Sequence, residues 1–211
     1  MKACTRVGLL LLAATLHIRA EAGAGVETCA ACHGDQGQGN AVFGAPRLAG
    51  QQVDYLLQQL RAFKAGQRGY DPQDSQGVQM RAVVASLDEA DFNRLAHHYA
   101  QQQAAKVSAS KSAGTAHGES LYQGSCAACH GLQAEGFAHL KTPSLRILDA
   151  SYLDRQLTHY TDGTRGSDAH ADPLGIWMRG IALQIRSAED RRAIIDYLAS
   201  LSLPAAEQAR R

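Results

Sequence analysis

The sequence predicts an all-α protein built from two similar domains in tandem. The hexapeptide CAACHG occurs at residues 29–34 and again at 126–131, and a shift of 97 residues aligns much of the chain around the two copies. Apolar residues recur at helical spacing in both halves, whereas no segment shows the alternation of a half-buried strand. Repetition on this scale indicates that a whole domain was duplicated.

The first segment has the composition of a secretory signal peptide. Lys2 and Arg6 precede an apolar run over residues 7–16, and the small residues Ala20 and Ala22 provide a cleavage pattern. The apolar run is shorter than the roughly 20 residues that span a bilayer. We therefore assign residues 1–22 to a signal peptide and expect export to the periplasm, with no transmembrane segment in the mature chain.

The rest of the chain divides at a stretch rich in Ser, Ala and Lys. This composition is typical of a flexible connection and offers few large apolar side chains for a core. We predict a first domain over residues 23–104, a linker over 105–116, a second domain over 117–205 and a C-terminal tail over 206–211.

Each domain contains a long helix in its central part. Apolar side chains at helical spacing predict a helix over residues 53–63 in the first domain and over residues 153–160 in the second. Gly66 and Gly163 follow these segments and are expected to stop the two helices.

Each domain is also predicted to end in a helix. In the first domain the hydroxyl of Ser86 can cap a helix, and Glu89 lies three residues later, as in a capping box. In the second domain Ser187 and Asp190 occupy equivalent places. The sequence therefore predicts that the two final helices begin at Ser86 and near Ser187.

The four cysteines after the first segment form two C-x-x-C-H motifs. At this spacing the two sulfurs lie about one helical turn apart, which suits two thioether bonds to one haem, and the adjacent histidine falls beneath the iron. A thioredoxin-like pair would follow a β-strand, and a zinc site would need both pairs to share one metal. A structural disulfide leaves the histidine unexplained. We predict two covalently bound haem c groups, each with its iron, attached through Cys29, Cys32, Cys126 and Cys129.

Two methionines are the candidates for the sixth iron ligand. Met80 lies 47 residues after His33, and Met178 lies 48 residues after His130. The remaining methionine is Met1, so each repeat contains a single methionine, and the two lie at matching positions. This match favours iron ligation over ordinary packing as the role of both residues. We predict His/Met ligation of both irons, which raises the haem potential relative to two histidine ligands.

Taken together, these features are similar to the dihaem cytochromes of the cytochrome c4 type, which are tandems of class I cytochrome c domains. The shared features are CxxCHG near the start of each domain, a proline 13 residues after the histidine, a single late methionine and a final helix with an inward tyrosine. The resemblance implies two domains, each wrapped around one haem and related by a pseudo-twofold axis. It also implies that the carbonyls of Pro46 and Pro143 accept the histidine Nδ1 proton and orient the imidazole.

The resemblance implies electron carriage in the periplasm, from a quinol-oxidising complex or dehydrogenase towards a terminal oxidase. An iron with two protein ligands has no free position for a substrate, so we expect an electron carrier without catalytic residues. The expected partners are redox proteins such as membrane oxidase or dehydrogenase complexes, and peripheral membrane association is compatible with this role. A formal net charge of +1, which stays near zero without residues 1–22, excludes a basic nucleic-acid-binding face.

Two other functions remain open from the sequence. The chain is also compatible with the dihaem subunit of a dehydrogenase, such as a sulfide-oxidising flavocytochrome. An enzyme such as a haem peroxidase would need an iron with an open position. A thiosulfate-oxidising enzyme with a cysteine ligand would need a further cysteine in the mature chain, and none remains.

Three further residues have weaker assignments. Arg47 follows the first proline where Ser144 follows the second, so a salt bridge to a haem propionate is expected in one domain only. Trp177 precedes Met178 and is expected to shield the second haem. His170 lies eight residues before Met178 and is the alternative distal ligand, whereas the other unpaired histidines are assigned to the surface.

Overall fold

The computed structural model describes residues 24–103, 116–167 and 169–201, and within these ranges the chain folds into helices joined by loops. The β-structure in these residues is limited to one isolated bridge between Asn40 and Ala45. The predicted all-α class is therefore confirmed. The predicted signal peptide, the C-terminal tail and residues 105–115 of the predicted linker lie outside the described ranges.

The first domain is a small helical bundle whose central helix packs against the last two. Its helices are α1 Ala24–His33, α2 Val53–Lys64, α3 Ser75–Val84 and α4 Glu89–Gln101. The buried side of α2 contributes Leu56, Leu57 and Phe63, which pack against Phe92 and Leu95 of α4. This core places the CAACHG end of α1 opposite α3.

The second domain repeats this arrangement with a broken first helix. Its helices are α5 Ala116–Ser125, α6 Ala127–His130, a 3₁₀ turn over Ala138–Leu140, α7 Ala150–Asp162, α8 Pro173–Ala182 and α9 Ala188–Ser200. Tyr122 of α5 is completely buried, and its hydroxyl donates a hydrogen bond to the Gly131 carbonyl at 2.7 Å. This bond ties α5 to the residue that follows His130.

Both central helices form where the apolar periodicity predicts them. The segment 53–63 lies in α2, which ends at Lys64, two residues before Gly66. The segment 153–160 lies in α7, where Gly163 has φ of 87° at the C-cap. A residue with a β-carbon is strained at that φ, so glycine suits the stop.

The two final helices have different outcomes. Ser187 caps α9 as predicted, because its hydroxyl accepts a hydrogen bond from the Asp190 amide at 3.0 Å. The predicted start at Ser86 is wrong. Asp88 caps α4 instead, since its carboxylate accepts from the Asp91 amide at 2.9 Å and the Asp91 carboxylate accepts from the Asp88 amide at 3.2 Å. The sequence thus contains two overlapping capping-box patterns, and α4 begins with the one that has two carboxylates.

The two domains meet along α2 and α7, which occupy equivalent positions in the two repeats. Side chains of α2 donate to or accept from residues of the second domain, and side chains of α7 do the same towards the first. Within the described residues, no helix is both long enough and apolar enough to cross a membrane.

Candidate haem sites

A large cleft, here called the first cleft, opens beside the CAACHG segment of the first domain. It encloses about 1250 Å³ of empty space, part of which is open to solvent, and its wall is mostly apolar. Cys29, Cys32 and His33 lie in this wall together with Met80. The fold therefore brings the four residues predicted to hold the first haem to one cleft.

The second domain has an equivalent opening, here called the second cleft. It encloses about 1420 Å³ of empty space, again partly open to solvent. Cys126, Cys129, His130 and Met178 line it, with α6 supplying the histidine and α8 the methionine. The second set of predicted haem residues thus also converges on a single cleft.

The two histidines are held in the protonation state that a metal ligand needs. Nδ1 of His33 donates to the Pro46 carbonyl at 2.7 Å, and Nδ1 of His130 donates to the Pro143 carbonyl at 3.4 Å. Burial is the main cause that lowers the pKa of both imidazoles. A neutral ring with its proton on Nδ1 leaves Nε2 available for iron.

The side chains present fit a covalently bound haem. The four cysteines of the described residues are unpaired thiols, two in each cleft. An apolar wall suits the porphyrin face, and imidazole and thioether are established haem-iron ligands. The same residues contain no cluster of three or more His, Cys, Asp and Glu side chains suited to another metal ion.

The two clefts share a wall at the domain interface. Five residues line both clefts, namely Tyr55, Gln59, Leu148, Tyr152 and Gln156. Four of them form two equivalent pairs under the shift of 97 residues. The two haem sites are therefore neighbours, separated by side chains that both domains contribute.

Two arginines make hydrogen bonds between the domains at this wall. Arg68 Nη2 donates to the Tyr152 hydroxyl at 2.9 Å and to the Gln156 side-chain oxygen at 3.2 Å. Arg165 Nη2 donates to the Gln59 side-chain oxygen at 2.9 Å. The predictions from the sequence did not include these residues, although Arg68 aligns with Arg165 and Gln59 with Gln156 when the chain is shifted by 97 residues.

A second contact between the domains lies beside the proline of the second cleft. Gln51 Nε2 donates to the Ser144 carbonyl at 3.1 Å, and the Ser144 amide donates to Gln51 Oε1 at 2.8 Å. Both residues are buried. Ser144 follows Pro143, so the first domain helps to fix the backbone that orients His130. The sequence reasoning noted Ser144 only as the counterpart of Arg47.

The residues with weaker assignments lie in different places. Arg47 is buried, lines the first cleft and donates from Nε to the Ala49 carbonyl at 3.1 Å. Trp177 borders the second cleft with 72% of its surface exposed. His170 is exposed, packs its ring 4.7 Å from that of Tyr70 and is not part of the cleft wall. This position favours methionine over His170 as the distal residue.

Comparisons with known proteins also identify the chain as a cytochrome c with two domains. The family model described as Cytochrome c matches residues 20–103 and 115–202. The cytochrome c4 of Azotobacter vinelandii is 32% identical, over 88% of this chain and 91% of that protein. A "Thiosulfate dehydrogenase electron acceptor" from Thiomonas intermedia is 32% identical, over 86% of this chain and 82% of that protein.

A solved structure has the same tandem fold. The crystal structure of reduced recombinant cytochrome c4 from Pseudomonas stutzeri superposes with a TM-score of 0.68 at 29% identity, covering 83% of this chain and 94% of that chain. The predicted tandem and its two haem c groups are thereby confirmed. The chain belongs to the cytochrome c family, as a dihaem electron-transfer protein of the cytochrome c4 type.

Proposed function

We propose that the chain is a periplasmic carrier that moves single electrons between redox proteins through two His/Met-ligated haems. The attachment residues are Cys29, Cys32, Cys126 and Cys129, and the axial ligands are His33, Met80, His130 and Met178. The observation that carries this proposal is their grouping: each cleft contains two thiols, one oriented imidazole and one thioether. No other described methionine competes for the distal position, because Met1 lies outside the described residues.

The side chains around each cleft suit electron transfer better than catalysis. Haem iron supplies one-electron chemistry when it is bound. Carbonyls of Pro46 and Pro143 hold the two imidazoles in one orientation, and Met80 and Met178, which line the same clefts, would fill the position at which a substrate could otherwise reach the iron. The apolar wall limits the entry of water, so little solvent has to reorganise when the charge of the site changes.

The shared wall supports transfer between the two sites inside one chain. Tyr55 and Tyr152 line both clefts, so only a layer of side chains lies between the first cleft and the second. One domain can therefore accept an electron while the other delivers one. Hydrogen bonds from Arg68 to Gln156 of α7 and from Arg165 to Gln59 of α2 hold the two domains together at this wall.

We propose that the donor is a quinol-oxidising complex or a dehydrogenase and that the acceptor lies towards a terminal oxidase. The Thiomonas relative, by its name, accepts electrons from thiosulfate dehydrogenase, and this supports a dehydrogenase as one donor. The signal-peptide composition of residues 1–22 supports the periplasm as the location.

Replacing each methionine separately tests the ligand assignment. The purified chain is expected to contain two haems, and its oxidised form should show the weak red band of methionine-to-iron charge transfer. Met80→Ala and Met178→Ala should each remove about half of this band and lower one of two potentials, since the thioether favours reduced iron. Each variant is the control for the other, because the unaltered domain keeps its own band. An unchanged spectrum would remove that methionine from the ligand set.

The carrier role is tested by the state in which the protein is purified. A free carrier should run as a single chain and should transfer electrons from a reduced dehydrogenase to an oxidase in solution. Stable copurification with a catalytic subunit would instead favour the alternative of a dehydrogenase-bound cytochrome. Rapid binding of carbon monoxide to either reduced haem would contradict ligation by two protein groups.

A further inference from the structure

A histidine of one domain faces an aspartate of the other at the N-terminus of α3. His159 lies on α7 of the second domain, and Asp74 is the N-cap of α3, the helix that carries Met80. The His159 Nδ1 and Asp74 Oδ1 atoms are 3.8 Å apart, and the two side chains are only 12% and 3% exposed. The contact therefore joins two ionisable groups that are largely shielded from water.

Asp74 connects this contact to the first cleft. Its carboxylate caps α3 by accepting a hydrogen bond from the Gly77 amide at 2.9 Å, and the residue lines the cleft. Met80 follows six residues later on α3, which is a rise of about 9 Å along the helix. A change of charge beside Asp74 therefore acts at the start of the helix that presents the proposed ligand of the first iron.

His159 has an unused ring nitrogen on the side of Asp74. Its Nδ1 atom is buried and makes no hydrogen bond to the described residues, since 3.8 Å is too long for one. The charged groups that face the imidazole are Asp74 and Asp162, which favour its protonation, and Arg155 and Arg165, which oppose it. Burial is the main cause that lowers the pKa of His159 below its ordinary 6.5, so this ring takes up a proton below that pH.

The second domain has the equivalent cap with a different partner. Asp172 caps α8, the helix of Met178, and corresponds to Asp74 under the shift of 98 residues. Its Oδ1 atom accepts a hydrogen bond from Gln58 Nε2 of the first domain at 2.8 Å. This contact contains no histidine, the side-chain type that changes charge between pH 5 and 8. The two domains thus differ in whether the cap of the methionine helix faces a titrating group.

We propose that His159 and Asp74 form a proton-binding site that is coupled to the oxidation state of the first haem. When the redox donor supplies one electron to the first site, His159 takes one proton from solvent, and both leave on oxidation. A proton near the cleft favours the reduced state, and by linkage reduction tightens proton binding by the same factor. This inference rests on the proposed His/Met ligation of a haem in the first cleft.

The coupling makes the potential of the first site depend on pH. Unit charges about 12–25 Å apart, at an effective dielectric constant of about 20, change each other's binding constants by roughly 3- to 10-fold. We expect reduction to tighten proton binding at His159 by this factor. The first potential should therefore rise as the pH falls from 6.5 to 5, and the second should change less. A fall in pH would shift electrons within the chain towards the first site.

Redox titrations of the two-haem protein between pH 5 and 8 test the coupling. His159→Gln introduces the amide that Gln58 provides in the other contact, and this amide takes up no proton. The first potential, identified with Met80→Ala, should match the wild type above pH 7 and lose its rise between pH 6.5 and 5. His97→Gln is the control, because His97 is exposed and bonds the Asn93 carbonyl of its own helix. It should keep the wild-type profile.

Asp74→Asn separates the charge from the helix cap. The asparagine oxygen can still accept from the Gly77 amide, so α3 is expected to begin at the same residue. The attraction of the carboxylate for the proton on His159 is lost. The rise in the first potential should therefore move to lower pH, and a rise that stays at the wild-type pH would remove Asp74 from the site.

Nuclear magnetic resonance of the wild-type protein measures the proton site without any substitution. The ring of His159 should bind its proton roughly 3- to 10-fold more tightly in the reduced protein than in the oxidised protein. Equal proton binding in the two states, or a wild-type potential profile in His159→Gln, would overturn the proposal. Two haems with the methionine charge-transfer band would then still uphold the carrier function. Absence of that band from the wild type would instead overturn the ligation on which the coupling rests.

Discussion

Replacing Gln51 with alanine is expected to weaken the docking of the two domains. The Gln51 side chain makes two hydrogen bonds to the backbone of Ser144, at 3.1 and 2.8 Å, across the interface. Alanine removes both bonds and leaves the Ser144 amide and carbonyl without these partners in a buried position. The perturbation therefore acts on the interface and removes one polar side chain from the wall of the first cleft, while the residues predicted to hold the two haems stay unchanged.

The magnitude follows from these two bonds. Each contributes about 0.5–1.5 kcal/mol net, and a buried group left unsatisfied costs about 1–3 kcal/mol. The smaller alanine side chain opens space through which water can reach Ser144 and recover part of this cost. We expect docking to weaken by about 2–4 kcal/mol, which corresponds to roughly a 30- to 1000-fold change in the docking equilibrium.

Hydrogen exchange of the Ser167 amide measures this change at a different contact. That amide donates to the Tyr70 hydroxyl across the interface at 3.0 Å, and the same hydroxyl donates to the Gly163 carbonyl at 3.0 Å. If Ser167 exchanges when the domains separate, its protection in the two-haem protein should fall by the factor given above. Exchange at several pH values checks that the amide reports an equilibrium.

Gln52→Ala is the matched control. Gln52 makes one cross-domain bond, from Nε2 to the Glu135 carbonyl at 3.1 Å, in a partly exposed position. Its loss should change Ser167 protection by only about 2- to 10-fold. Protection in Gln51→Ala that stays within a factor of three of the wild type would refute the reasoning, because the paired bonds would then not contribute to docking.

Three further predictions concern a buried hydroxyl, a helix cap and a titrating histidine. Tyr122→Phe should lower the free energy of unfolding of the second domain by about 1–3 kcal/mol, because the Gly131 carbonyl loses its donor; chemical denaturation of the holoprotein measures this. Asp88→Ala should destabilise α4 by about 1 kcal/mol, whereas Ser86→Ala should change stability by less than about 0.5 kcal/mol, and equal effects in circular dichroism melts would contradict the observed cap. Burial is the main cause that lowers the pKa of His159 below its ordinary 6.5. Just below pH 6.5 the folded state therefore binds fewer protons than the unfolded state. The stabilisation that this histidine gives above pH 6.5 is lost as the pH falls from 6.5 through the lower pKa of the folded state. The charged groups that face this imidazole are Asp74, Asp162, Arg155 and Arg165. His159→Gln should flatten the loss of stability between pH 6.5 and 5, and a variant with the wild-type slope would assign that loss to other groups.

The helix boundaries show how far local sequence patterns reach. Apolar periodicity placed α2 and α7, because a buried helix face needs apolar residues every three or four positions. It did not choose between the overlapping caps at Ser86 and Asp88, since both have the same spacing of an acceptor and a carboxylate. The choice depends on where packing against the core lets the helix begin.

The sequence by itself determined the chemistry of the two haem sites and the duplication that contains them. Covalent attachment and iron ligation require particular side chains at fixed local spacings, and the two repeats display the same set of cysteine, histidine and methionine. Only the tertiary structure decided what lies between the sites. The cross-domain partners of Gln51, Arg68 and Arg165 lie 84 to 106 residues away in the sequence, and glutamine and arginine are residue types that usually lie at the surface. Their role depends on burial and on hydrogen bonds that exist only after the domains dock, and no local spacing encodes either.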